Sequence, residues 1–304
     1  MTAAPTLTVR GRSFDLSEPV LMGIVNASPD SFSDGGLHPT TGQRVQHAVD
    51  LVAQGATLLD VGGQSAITGV PEISTHEEIA RVVPVIEGIR AELPDAVISV
   101  DTYRPAVVEA ALAAGAAVVN DVGGLTHPEV ADLCAAAGAG LVIMHTRARP
   151  KQKVLDPDLY DDVIADVVAF LAARIDEALA RGVPREAIVV DPGPDFAKTP
   201  AQTVEVLRGL DRVRALGRPV LLALSRKDFI GAITGRPPGR RLAGTLAAVG
   251  HVLGPPGSIL RVHDVEAVAD FLSVAGVLAG RADLPDATLL AVDLRHERPV
   301  GPTA

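Results

Sequence analysis

The chain has no tryptophan, two tyrosines, six phenylalanines and a single cysteine in 304 residues. One thiol excludes an internal disulfide framework and a multi-cysteine zinc centre. Its spacing from Val130 and Gly138 puts Cys134 inside a helix, as a buried thiol rather than a nucleophile. Aromatics make up only 3 % while hydrophobic residues reach 47 %, so the core has to be aliphatic. Cations are also scarce. A formal charge of −10 argues against a general nucleic-acid surface, although a few cations in a cleft can still build a local anion site. No apolar run approaches the roughly 18 residues of a membrane span. The N-terminal segment carries Arg10 and Arg12 but no apolar core of signal-peptide length. A cytoplasmic protein without membrane or nucleic-acid partners is expected. No G-x-G-x-x-G follows the first predicted strand, which weighs against a dinucleotide-binding sheet.

What the chain does have is a recurring pattern. Eight short apolar runs each end in polar or charged residues and are followed by an amphipathic stretch: Val20–Asn26, Leu58–Asp60, Val97–Asp101, Ala117–Asp121, Leu141–His145, Ala187–Asp191, Val220–Lys227 and Ser258–His263. Parallel strands buried on both faces read as such continuous aliphatic runs. Eight βα units predict one closed (β/α)8 TIM barrel, whose strand C-termini build the site. The run ends supply Asn26, Asp60, Asp101, Asn120, Asp121, His145, Asp191, Lys227, Arg261 and His263. The expected organisation is an N-terminal extension over 1–19, a barrel over 20–280 and a tail over 281–304. Leu7–Phe14 reads as one short strand capping the barrel floor. Predicted helices are Gly42–Gln54, Thr75–Ala91, Pro105–Ala114, Pro128–Ala137, Leu159–Arg181, Thr199–Leu216, Arg241–Leu253 and Val265–Ala279. Thr75 with Glu78 reads as a capping box, and Gly115, Gly138 and Gly182 as helix ends.

Several run ends carry longer motifs. The first continues as Gly23-Ile-Val-Asn-Ala-Ser-Pro-Asp-Ser-Phe-Ser-Asp-Gly-Gly36, a polar loop that holds Phe32 and Asp34. Later ends read Ser99-Val-Asp-Thr-Tyr-Arg104, Val119-Asn-Asp-Val122, Val190-Asp-Pro-Gly193 with Phe196 and Lys198, Ser225-Arg-Lys227, and Ile259-Leu-Arg-Val-His263. Arg261 and His263 lie two apart on a strand and share a face. A donor pair of that kind suits a diphosphate leaving group.

Together these motifs resemble the dihydropteroate synthases, in order and from about Val20 to about Gly280. That family has the (β/α)8 fold and joins 6-hydroxymethyl-dihydropterin pyrophosphate to p-aminobenzoate. The resemblance implies a pterin held by Asp191, Asn120, Asp101 and Lys227, with Met144 or Val122 against its flat face. It implies a diphosphate at Arg261 and His263, with Asn26 reaching a bound Mg2+. Asp101, Lys227, Arg261 and His263 are the implied catalytic set. Phe32 and Asp34 would close over an incoming aromatic amine. Barrels of this kind pair through their last helices, which would put Val265–Ala279 in a homodimer contact.

Three departures from the family pattern concern the second substrate. The loop after the second strand reads Asp60-Val-Gly-Gly-Gln64-Ser-Ala66-Ile67-Thr68-Gly69, where the family has a Glu-Ser-Thr-Arg-Pro stretch. The position after Ser225-Arg226-Lys227 is Asp228 rather than the family's serine, so a carboxylate would face the carboxylate of p-aminobenzoate, unless it turns away to pair with a nearby arginine (Arg226, Arg240 or Arg241). The stretch Pro194-Asp195-Phe196-Ala197-Lys198 replaces a glycine-rich one. Two readings follow: an active synthase that uses p-aminobenzoate or another amine, or a pterin-binding paralogue without that activity. A methyltransferase acting on reduced folate shares the barrel but gives no reason for the long first loop or the Arg261/His263 pair.

Overall fold

The computed structural model describes residues 5–28, 38, 40–64, 71–285, 288–291 and 294–295. They divide into two compact units, residues 1–269 and 270–304. The first unit begins with an antiparallel hairpin, β1 (Thr6–Val9) and β2 (Arg12–Asp15), where the sequence predicted one strand. Arg10 (φ 48°) and Gly11 (φ 74°) both adopt left-handed backbone, as a two-residue hairpin turn requires.

Eight further strands close the barrel. They are β3 (Val20–Asn26), β4 (Leu58–Gly62), β5 (Val97–Asp101), β6 (Val118–Asp121), β7 (Gly140–Met144), β8 (Ile188–Asp191), β9 (Val220–Leu222) and β10 (Ser258–Val262). Every pairing is parallel, and β10 closes on β3. The (β/α)8 barrel read from the sequence is the fold observed.

The intervening helices are α1 (Thr41–Ala53), α2 (Thr75–Glu92), α3 (Pro105–Ala114), α4 (Glu129–Ala137), α5 (Val163–Ala180), α6 (Pro200–Arg208), α7 (Leu210–Arg214), α8 (Asp228–Thr234), α9 (Leu242–Val252) and α10 (Val265–Leu278). Capping boxes stand at Thr40 with Gln43 and at Thr199 with Gln202. The cap of α2 is Ser74, accepting from the Glu77 N–H at 3.1 Å, one residue before the predicted Thr75. Gly115 and Gly138 close α3 and α4 in the left-handed conformation. The helix predicted over Thr199–Leu216 breaks at Gly209 into α6 and α7.

The core explains where chemistry becomes possible. Met22, Leu58, Val97, Val118, Val142, Val189, Leu221 and Ile259 form one buried cluster with Leu7, Val9 and Leu16. Each such side chain contributes about 2 kcal/mol relative to exposure. Strand side chains on one face recur every second residue. Two positions onward, the same inward faces carry Asp60, Ser99, Asn120, Met144, Asp191 and Arg261. On five of the eight strands the lumen therefore changes from aliphatic to polar within one step, while Met144, Ile24 and Ala223 keep it apolar on the other three.

The second unit contains the end of α10, Gly280 at φ 68° and irregular chain beyond it. Val274, Leu278, Leu284, Leu289, Leu290 and Leu294 are each at least half exposed.

Candidate active site

At the centre of the polar end one guanidinium bridges two carboxylates. Arg261 on β10 donates from Nε to Asp60 Oδ2 at 2.6 Å and from Nη2 to Asp101 Oδ2 at 2.7 Å. Asn120 Nδ2 donates to the same Asp60 oxygen at 3.0 Å. Burial works against the charge on Arg261, but Asp60 and Asp101 outweigh it and hold its pKa above the ordinary arginine value. Asp101 is pushed up to about 7 by burial, with Asp60 and Glu78 adding repulsion and Arg261 and Lys227 opposing it. Asp60 Oδ1, Asn120 Oδ1 and Ser99 Oγ are buried without a hydrogen-bond partner. Buried polar atoms are normally satisfied, so three orphans in one lumen mark a place built to receive polar groups.

Asp191 ends β8 on the same lumen. Its Oδ1 accepts the Gly193 N–H at 2.7 Å, and burial lifts its pKa to about 6 against the pull of that bond, Lys227, Lys198 and Arg261. Lys227 precedes the first turn of α8, with its Nζ 4.4 Å from the centroid of the Phe196 ring. Burial lowers the Lys227 pKa, opposed chiefly by Asp195 and Asp191. Met144, at the end of β7, is 1 % exposed and lies beside Asp191 in register. Gly193 takes φ 66°, and a Cβ there would lie 2.0 Å from the His145 carbonyl oxygen. Gly193→Ala is expected to destabilise the fold by about 3 kcal/mol or more. Calorimetry should read this as a fall in Tm on the order of 5 °C; an unchanged Tm would mean that the loop repacks freely.

His263 follows β10. Its Nδ1 lies 3.0 Å from Ser225 Oγ, and burial with Arg226, Arg261 and Lys227 pushes its pKa down to about 3, so it is neutral. It offers a hydrogen bond rather than a charge. Asn26 is half-buried at the tip of β3. Asp121 lies on the face of β6 opposite Asn120 and caps its own loop, accepting from Gly123 N at 2.8 Å and Leu125 N at 3.0 Å. Its role is structural.

Asp228 begins α8 and is spoken for. Its Oδ1 accepts from Arg241 Nη1 at 3.1 Å and its Oδ2 from Lys153 Nζ at 3.3 Å. Despite partial burial, those bonds hold its pKa below the usual carboxylate range. The bare negative charge expected at this position is thus offset by two cations. Asp195 and Ala197, where the family pattern has glycines, sit at φ 64° and 50°. Asp195 offsets part of that strain: Oδ2 accepts the Asp228 N–H at 2.5 Å and Oδ1 the Thr203 hydroxyl at 3.1 Å. Gln64 Oε1 accepts the Ile73 N–H at 3.0 Å. Phe32, Asp34, Ala66, Ile67 and Thr68 lie outside the described residues.

The site set read from the sequence omitted Asp60, Glu78, His145, Asp166 and Lys198. Asp60 stood at a run end, but its bond to Arg261 spans 201 positions and leaves no local signal. Glu78 is 2 % exposed and ties Thr102 to Arg104, at 2.7 and 2.9 Å, behind the β5 tip.

Comparison with known proteins shows the family to which this barrel belongs. A family model described as pterin binding enzyme matches residues 22–263. The dihydropteroate synthase of Synechocystis is 41 % identical over 279 residues, covering 90 % of this chain and 95 % of the relative. That of Escherichia coli K12 is 37 % identical over 268 residues, covering 88 % and 94 %. The Xanthomonas albilineans dihydropteroate synthase solved with 4-aminobenzoic acid superposes with a TM-score of 0.83 at 42 % identity, covering 93 % of this chain and 100 % of the other. The same enzyme in complex with 7,8-dihydropteroate gives 0.79, at 42 % identity and 92 % and 100 % coverage. The chain belongs to the pterin-binding enzymes and, among them, to the dihydropteroate synthases.

Proposed function

We propose that this transferase of folate biosynthesis joins 6-hydroxymethyl-dihydropterin pyrophosphate to p-aminobenzoate, releasing pyrophosphate. One observation carries the reading: Asp60, Asp101, Asn120, Asp191, Lys227 and Arg261 crowd a single strand-end lumen that has orphaned polar atoms at its centre. A pterin edge presents an amino group beside a ring N–H. A carboxylate at Asp191 would accept both in charge-assisted bonds. Lys227 would donate to the ring carbonyl, and Asn120 would complete the edge. Arg261 and neutral His263 donate toward the departing diphosphate, so charge is stabilised where it develops. The methylene C–O bond breaks, the ring delocalises the charge left on carbon, the amine nitrogen attacks, and one amine proton is lost to solvent. No nucleophilic side chain is needed.

Among the described residues no three His, Cys, Asp or Glu side chains cluster as a metal site. A magnesium ion held chiefly by substrate phosphate oxygens fits such a donor set, with Asn26 as its protein ligand. Bound there it would neutralise charge on the diphosphate. Val274 and Leu278, 60 % and 83 % exposed, are the apolar residues of α10 that a second copy would cover in the homodimer the resemblance implies.

The reaction itself is the test. Purified protein given both substrates with Mg2+ should release pyrophosphate in step with dihydropteroate; binding of the pterin substrate without turnover would favour the paralogue reading. The pairing of Asp228 with Arg241 and Lys153 supports use of p-aminobenzoate. An exposed pair is worth about 0–1 kcal/mol, so Asp228→Ser should change the KM for p-aminobenzoate by less than about 5-fold. A far larger improvement would restore the repulsion argument.

Binding should depend on pH through Asp191. Its native pKa, about 6, stands above the unfolded carboxylate value. The folded chain therefore holds a proton that the unfolded chain has lost, and ionisation costs stability as pH rises from about 4 to 6. The pterin needs the ionised form. Affinity measured by titration calorimetry should fall as pH drops through 6, and a flat profile from 7 to 5 would remove Asp191 from recognition.

A further inference from the structure

Below the loop that follows β8, an ammonium group is buried with no carboxylate among the described residues in salt-bridge contact with it. Lys198 is 1 % exposed, and its Nζ lies 2.8 Å from His145 Nδ1, 3.0 Å from the Gly193 carbonyl oxygen and 3.1 Å from that of Phe196. Three protons meet three acceptors. His145 is fully buried, its ring centroid 5.0 Å from that of Phe170 in a T-shaped contact, and its Nε2 lies 2.9 Å from Asp166 Oδ1. Asp166, on α5, is held in turn by the Arg147 guanidinium.

The direction of these bonds follows from chemistry. A carboxylate accepts, so His145 carries its proton on Nε2 and presents a lone pair at Nδ1. Burial pushes the His145 pKa down to about 3, which keeps the ring neutral. Lys198 must then donate, and only the ammonium form has a proton for each of its acceptors. A neutral amine would turn a lone pair on one of them. Burial brings the Lys198 pKa down to about 7; Asp191 at the end of β8, Asp166 on α5 and Asp195 in the loop oppose that fall, and Lys227 adds to it. Tyr160, its ring 6.1 Å from that of His145, donates its hydroxyl to the Ala197 carbonyl of the same loop at 2.9 Å.

The two carbonyls that Lys198 grips belong to residues that touch the site. Gly193 donates its N–H to Asp191, and the Phe196 ring lies under the Lys227 ammonium. We propose that Lys198, whose ammonium donates to His145 and to the Gly193 and Phe196 carbonyls, is a positioning residue that sets Asp191 and Lys227 for the pterin and makes pterin affinity fall when its proton is lost. The inference rests on the pterin reading given above. It adds a relay that reaches from the α5 surface to the lumen.

The experiment measures affinity for 6-hydroxymethyl-dihydropterin pyrophosphate by calorimetry from pH 5.5 to 9, with steady-state kinetics alongside. Lys198→Met should weaken pterin binding on the order of 30-fold and flatten the alkaline limb, while the KM for p-aminobenzoate changes far less. Asp166→Asn lies away from the lumen and keeps the test usable where Lys198→Met does not fold. It removes one of the charges that support the ammonium and should move the alkaline limb of affinity to lower pH. Wild-type pterin affinity independent of pH above 7, or an alkaline limb unmoved in Asp166→Asn, would overturn the relay. Failure of the wild-type protein to bind the pterin substrate at any pH would instead overturn the functional reading beneath it.

Discussion

An Arg261→Met variant is expected to lose about three orders of magnitude in kcat/KM and about 3–5 kcal/mol of stability. Both losses follow from one geometry. The guanidinium lies between Asp60, which is fully buried, and Asp101, at 2.6 and 2.7 Å. Methionine fills similar volume and leaves two carboxylates facing each other with no cation between them. Breaking a buried pair from one side strands the remaining charge, and that penalty exceeds the net worth of the pair. Part of it is relieved by proton uptake at Asp101, whose pKa already stands near 7. Stability of the variant should therefore decline more steeply than that of the wild type as pH rises through neutrality. The catalytic loss is separate, since in the proposed reaction Arg261 would also donate to the leaving diphosphate. Denaturant unfolding and steady-state kinetics on the same preparation distinguish the two. A variant that is stable but inactive would mean that the acids relax, whereas a fully active one would remove Arg261 from the reaction.

Asp191→Asn should do the opposite to stability while damaging binding comparably, with pterin affinity down on the order of 100-fold or more. The amide oxygen can still accept the Gly193 N–H, so the loop after β8 keeps its anchor. The other half of the group becomes an NH2 facing the donors of the pterin edge. Of the two charge-assisted bonds proposed to the pterin edge, one is replaced by donor facing donor and the other loses its charge. Burial already drives the native pKa up to about 6, so removing the charge relieves a desolvation cost. Tm at neutral pH should hold or rise. Weak binding with a preserved Tm is therefore the signature of recognition, and weak binding with a collapsed Tm would show Asp191 to be a structural residue.

The two variants also show which parts of the protein could be read from its residues. The barrel was legible because parallel strands buried on both faces leave long aliphatic runs, and each run end could be read off directly. Arg261, Asp191, Asn120, Asp101 and Lys227 all fall at such ends. Where two elements share one apolar run, the pattern misleads. Val220–Lys227 read as a single strand, yet β9 stops at Leu222, Arg226 turns through φ 60°, and α8 starts at Asp228. The hairpin of β1 and β2 was hidden because Arg10 gives no sign of its left-handed backbone, and only Gly11 hints at it. Partnership was the least legible feature. Arg241, 13 positions from Asp228, was among the nearby arginines it could be expected to pair with, whereas Lys153, 75 positions away, left no local signal; with both seen, the repulsion inferred from charge alone disappears. Lys198 and His145 were visible as residues, but their junction depends on the closeness of two loops 53 positions apart.

In the proposed reaction one lumen receives the pterin by its edge and the diphosphate at its rim. A crystal structure of the protein with 6-hydroxymethyl-dihydropterin pyrophosphate bound tests this most directly. The prediction is a ring whose amino edge lies on the Asp191 carboxylate, with Asn120 and Lys227 at hydrogen-bond distance and the phosphates beside Arg261 and His263. A ligand found at the hairpin end of the barrel, or one seated at the rim with Asp191 and Asn120 untouched, would contradict it.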